Sequence, residues 1–95
     1  MPRVIWSELA VADLVSLNDW LTRELPPAEA VAALRAIREQ VARLDDFPAV
    51  GSPLPNGLRK LSVKGYPFVM LYDLTSTQLL VVRVVHNRSD WLSIA

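Results

Sequence analysis

Apolar positions first alternate along this chain, then recur at helical spacing, then alternate again, and each change of period marks an element. RVIWS at residues 3–7 is short, β-branched and aromatic, which predicts a strand. Ser7 then stands where a helix N-cap belongs, with Glu8 in the first turn, where the helix dipole favours a carboxylate. From Glu8 to about Glu24, Ala10, Leu14, Leu17 and Leu21 recur at spacings of four, three and four, with Val11 and Val15 widening the stripe. Asp13, Ser16, Asp19 and Arg23 fall on the polar side. Pro26 and Pro27 end this helix and open a second, because proline is tolerated in a first turn but not in a helix interior. The second stripe is Ala30, Leu34, Ile37, Val41 and Leu44, with Arg35, Glu39 and Arg43 at ion-pair spacing on the surface. Two stripes joined by a proline corner predict a helical hairpin.

DFPAVGSPLPNG, at residues 46–57, carries enough proline and glycine to predict no regular structure. After it the period falls from 3.6 to 2. GLRKLSV, YPFVMLYD and QLLVVRVVHN are three strand-like runs, linked by a turn at Lys64-Gly65 and by Thr75-Ser76-Thr77. Short links between consecutive strands predict an antiparallel meander. Strict alternation in the last run sets Leu80, Val82, Val84 and His86 on one face and Leu79, Val81, Arg83 and Val85 on the other. The expected architecture is α+β, in the order β-α-α-β-β-β, with the helical hairpin packed on a twisted, mainly antiparallel sheet. Residues 1–95 are expected to form a single domain.

Composition narrows the chemistry. The chain has no cysteine and one histidine, so disulfides, thiol nucleophiles, cysteine zinc sites and paired-histidine mechanisms are excluded. No phosphate-binding glycine loop, nucleophile elbow or acidic metal-ligand spacing is present, and no cofactor or metal is expected. No secretory signal or membrane-spanning run is legible, so a cytoplasmic, soluble protein is expected. Ten basic and ten acidic side chains sum to zero, yet the halves differ. Residues 1–47 carry five arginines and eight carboxylates, net −3; residues 48–95 carry five cations and two carboxylates, net +3. The strand half is therefore suited to an acidic or anionic partner.

The candidate functional residues lie mostly in that half. His86 is either a general acid or base, or a hydrogen-bonded histidine at a sheet edge. Arg83 stands in an otherwise apolar strand, where an unpaired guanidinium is costly. It either pairs with Asp73 or Asp90 or meets an anionic partner. Arg59, Lys60 and Lys64 form either a solvated edge or a basic rim. Among Trp6, Trp20 and Trp91, Trp91 in the polar tail is the one most suited to contact, because exposed tryptophans are enriched at interface hot spots.

The segments VIWSELAVADL, FPAVGSPLPNGLRKLSVKGYPFVMLYD and VVRVVHNRSDW, in this order and nearly spanning the chain, resemble the RelE/ParE superfamily of bacterial type II toxin–antitoxin toxins. The resemblance implies a toxin that arrests growth and is silenced by a cognate antitoxin, ParD-like in the ParE branch. Pro67 after Gly65-Tyr66, where the ribonuclease branch often has arginine, and Trp91, where that branch has a tyrosine, point towards the ParE branch. That branch inhibits DNA gyrase by trapping its cleaved complex and hydrolyses no substrate itself. Zero net charge agrees, since phosphate contacts dominate nucleic-acid affinity and direct nucleic-acid binding is not expected. On this reading there is no catalytic residue; Arg83, His86, Arg88 and Trp91 contact the target, supported by Arg59 and Lys60. Trp20, Arg59 and Arg83 meet the antitoxin. The alternative is a RelE-like, ribosome-dependent mRNA endoribonuclease with His86, Arg83 and Arg59 as its catalytic set.

Overall fold

In a computed structural model, which describes residues 3–88, the chain forms β1 (Arg3–Trp6), α1 (Glu8–Glu24), α2 (Pro27–Asp46), β2 (Ser52–Pro53), β3 (Arg59–Ser62), β4 (Phe68–Leu74) and β5 (Gln78–His86). The strands make one sheet in the order β1-β5-β4-β3-β2. β1 runs parallel to β5, and every other pair is antiparallel. The expected α+β order is present, with one addition. β2 lies within the proline-rich stretch, where no regular structure was expected, and pairs Ser52 with Lys60 and Pro53 with Arg59. A proline is compatible with this position because β2 is an edge strand, where one face of the backbone has no neighbour to pair with.

The helix boundaries follow the capping chemistry. Ser7 Oγ accepts from the Ala10 amide at 3.0 Å, and Pro27 opens α2 at its first position. The core lies between the helices and one sheet face. Phe68, Met70 and Tyr72 of β4 meet Leu79, Val81 and Val84 of β5, and Ala10, Leu21, Ala30, Ala33, Ile37 and Leu44 close over them. Val11 and Val15 do not widen the buried stripe; both are exposed. Arg35, Glu39 and Arg43 do not close ion pairs, consistent with the small gain such pairs offer in water. The turn between β3 and β4 is wider than a two-residue hairpin: Val63 N donates to Phe68 O at 2.9 Å and Tyr66 N to Val63 O at 3.0 Å, with Gly65 at φ 85°.

Strict alternation fails in β5. The register shifts between Leu71, opposite Arg83, and Tyr72, opposite Val81, so Val82 is an extra residue. Such a bulge reverses the facing of everything beyond it. The buried set is therefore Leu79, Val81 and Val84, not either of the two sets that alternation predicts.

Candidate functional site

The bulge lies where β1 ends, and α1 takes over the strand edge. β1 pairs with β5 only as far as Trp6 opposite Val81. Beyond it Ser7 N donates to Val81 O at 3.0 Å, and the Ser7 hydroxyl donates to Val82 O at 2.7 Å. Nearly two turns further along α1, the Asp13 carboxylate accepts from Val84 N at 3.0 Å. The same carboxylate receives Arg83 Nε at 2.7 Å and Nη2 at 2.9 Å. Arg83 is thus paired inside the fold, and its partner is Asp13 of α1, not Asp73. Asp90, the other expected partner, and Trp91 lie outside the described residues. The hydrogen bond that Arg83 donates to Asp13 is the main reason the guanidinium titrates above its ordinary range; partial desolvation opposes it.

Arg59 is also spent on structure. Its Nη1 donates to Gly51 O at 2.8 Å and Ala49 O at 3.2 Å. In the adjacent register position, the buried Tyr72 hydroxyl donates to Pro48 O and accepts from Gly51 N, both at 2.8 Å. Together the two side chains pin residues 48–51 to the sheet. Burial raises the Tyr72 pKa above its ordinary value, partly offset by the Gly51 amide and the Arg59 charge. Gly51 is required by space: a Cβ there would lie 2.6 Å from Tyr72 Oη.

Lys60 has a different setting. It pairs in register with Leu71, which pairs in turn with Arg83. Lys60 and Arg83 therefore flank a buried Leu71 on the sheet face away from the core, two strand spacings or roughly 10 Å apart. The residues expected to form one cationic group are split by the pleat, with Lys60 and Arg83 in one row and Arg59 in the next.

His86 ends β5 and is exposed. Its Nδ1 accepts from the Arg88 amide at 3.1 Å, which places the proton of the neutral ring on Nε2. Its ring meets Phe68 edge-on at 6.3 Å, and Phe68 stacks with Tyr66 at 6.4 Å. Neither Arg59 nor Arg83 bonds to His86, so the set expected for a ribonuclease is not assembled into a hydrogen-bonded group. Among the described residues, no group of three or more His, Cys, Asp or Glu side chains could hold a metal ion.

Trp20 stands on α1 with 44% of its surface exposed, next to this strand end. It lines a recess of about 230 Å³ together with Leu17, Phe68, Val84, Val85 and His86. A larger apolar recess, about 490 Å³, lies between the helices against Trp6, Leu14, Ile37 and Val41, away from His86. That Trp20 and His86 line one recess was not legible in the sequence, which places them on different elements 66 positions apart. Asp13 was also missed as a site residue, since its position on the polar side of a helix carries no signal of a distant strand.

No helix among the described residues is long and apolar enough to cross a membrane. A comparison with individually curated proteins finds no match. A solved chain described as a chromosomal ParDE toxin–antitoxin system from P. aeruginosa is similar over 90% of this chain and 96% of its own, with 26% identity and a TM-score of 0.78. The family model for the ParE toxin of type II toxin–antitoxin systems matches residues 4–91, including the strand, helices and meander described above. The chain belongs to the ParE toxin family.

Proposed function

We propose that the chain inhibits DNA gyrase by protein contact, arrests growth from within the cytoplasm, and is neutralised by a cognate ParD-like antitoxin. One observation supports this reading over mRNA cleavage: both arginines of the expected ribonuclease set, Arg83 and Arg59, are already engaged. Phosphoryl chemistry needs cations aimed at developing charge. Here Arg83 is bound by a carboxylate and Arg59 by two carbonyls. What the strand end offers instead is the exposed Trp20 and His86 around one apolar recess, suited to a protein partner.

On this reading His86 and Arg88 contact the target, with Trp91 and the Lys60–Arg83 row beside them. Arg59 supports that surface indirectly, by holding the loop. The antitoxin covers the helical hairpin, including Trp20 and the recess between the helices. Purified protein is expected to inhibit supercoiling by gyrase while leaving ribosome-bound mRNA intact. Codon-level mRNA cleavage with unimpaired supercoiling would overturn the proposal.

A further inference from the structure

Phe47, the residue that follows α2, has 62% of its surface exposed, and Val50 has 38%. Both sit on fixed backbone. Phe47 N donates to Arg43 O at 2.8 Å and Val50 N to Phe47 O at 3.1 Å. Arg59 and Tyr72 hold residues 48–51 to the sheet. An apolar patch held this firmly loses little conformational entropy when a partner covers it.

Charges of both signs flank the patch. Phe47, Pro48, Ala49 and Val50 border an open recess of about 450 Å³ together with Arg43 and Asp46. Arg43 and Asp46 stand three positions apart on α2, the spacing of a helical ion pair, yet they do not close one with each other. Glu39 and Ala42 continue the same exposed face. By helical phase it points away from the recess between the helices, which α2 lines with Leu34, Ile37, Arg38 and Val41.

A partner of one sign gains from one of these charges and loses to the other. An identical face turned about a two-fold axis gains from both. If two α2 helices cross antiparallel, a dyad midway between residues 44 and 45 sets Arg43 of each copy opposite Asp46 of the other. It also sets Phe47 opposite Ala42, whose small side chain leaves room for the ring. Zero net charge imposes no long-range repulsion between the copies.

We propose that the chain self-associates as a two-fold dimer through the end of α2 and the 47–50 loop. Phe47 is the apolar anchor, and two reciprocal ion pairs between Arg43 and Asp46 fix the register. The candidate target surface stays open. The loop hangs on Tyr72, whereas His86 pairs with Phe68, four residues or roughly 13 Å along β4. Each dimer therefore carries two uncovered recesses lined by Trp20 and His86.

Sedimentation of the full chain from micromolar to millimolar concentration tests this. A monomer–dimer equilibrium is expected, weakening as salt screens the ion pairs. Phe47→Ala should weaken dimerisation about tenfold or more, the loss of a hot-spot side chain, without lowering the melting temperature of the dilute protein. R43D and D46R should each be monomeric, since each sets like charges opposite one another. Mixed together they should form a heterodimer, and the double variant R43D/D46R should dimerise by itself, because both combinations restore opposite charges. A parent chain that stays monomeric throughout, a dimer indifferent to Phe47→Ala, or single reversals that fail to pair when mixed would overturn the proposal. So would a monomeric parent whose 47–50 loop is shielded from hydrogen exchange only by a co-expressed antitoxin, which would give this face to that partner.

Discussion

Asp13 and Arg83 are joined by two side-chain hydrogen bonds, at 2.7 and 2.9 Å, across 70 positions of sequence. The same Asp13 carboxylate accepts the Val84 amide at 3.0 Å. One acid on a helix thus satisfies both a cation and a backbone donor at the bulged edge of β5. Removing either partner has unequal consequences. Asp13→Ala strands the guanidinium and the amide together, and is expected to cost about 1–3 kcal/mol. Arg83→Ala leaves Asp13 with Val84 and should cost less. Chemical denaturation of the two single variants and the double variant checks this. Equal losses from the two single substitutions would mean that the amide contact contributes nothing.

Ser7 serves two elements with one hydroxyl. It caps α1 through the Ala10 amide and donates to the bulge carbonyl of Val82. Ser7→Ala should cost about 1–2 kcal/mol, the upper part of the usual range for a lost N-cap. Hydrogen exchange should quicken at Ala10. Acceleration absent at Ala10 would show that the cap is not what the serine supplies.

Tyr72 gives a pH dependence with a definite sign. Its folded pKa is raised by burial, so its contribution to stability is fully present below the unfolded value of about 10 and is lost as pH rises through the folded one. The parent protein should lose stability on the alkaline side of pH 10. Tyr72→Phe should be less stable at neutral pH, because Gly51 N loses its acceptor, and should show a smaller alkaline loss. Melting curves from neutral to alkaline pH decide it: parallel profiles for the two proteins would contradict the assignment.

Gly51→Ala places a methyl group 2.6 Å from Tyr72 Oη and 3.0 Å from Lys60 O. The expected cost is about 1–3 kcal/mol, from overpacking and loss of the Tyr72 contacts. Gly57→Ala, with φ 88° but nothing near the added carbon, should cost about 1 kcal/mol from backbone strain alone. Denaturation midpoints of the two variants should separate the effects, and Gly57→Ala should leave the alkaline behaviour of Tyr72 unchanged.

Toxicity and folding should part company along the cation set. His86→Ala and Arg88→Ala alter exposed residues and should lower toxicity with little change in melting temperature. Arg59→Ala should lower melting temperature first, since it frees the loop at Ala49 and Gly51. Induced expression in cells, beside thermal melts of the purified variants, distinguishes the two groups. Toxicity that tracked stability in every variant would remove His86 and Arg88 from the target surface.

Much of this protein was determined by its sequence alone. The Ser7 cap, the two apolar stripes, the proline start of α2 and the three-strand meander depend on residues within a few positions of one another, so local patterning is enough to place them. The split of charge between the halves and the family resemblance are read in the same way. The rest depends on partners far apart in the chain. β5 gains an extra residue at Val82, because α1 takes over its edge where β1 stops, and that slip replaces the two alternating faces with the buried set Leu79, Val81 and Val84. Arg83 finds Asp13, Arg59 finds the loop carbonyls, and Trp20 comes to line one recess with His86 through the same long-range packing. Hydrogen-bonding groups at a strand edge are satisfied by whatever element packs there, and periodicity within one segment carries no record of that neighbour.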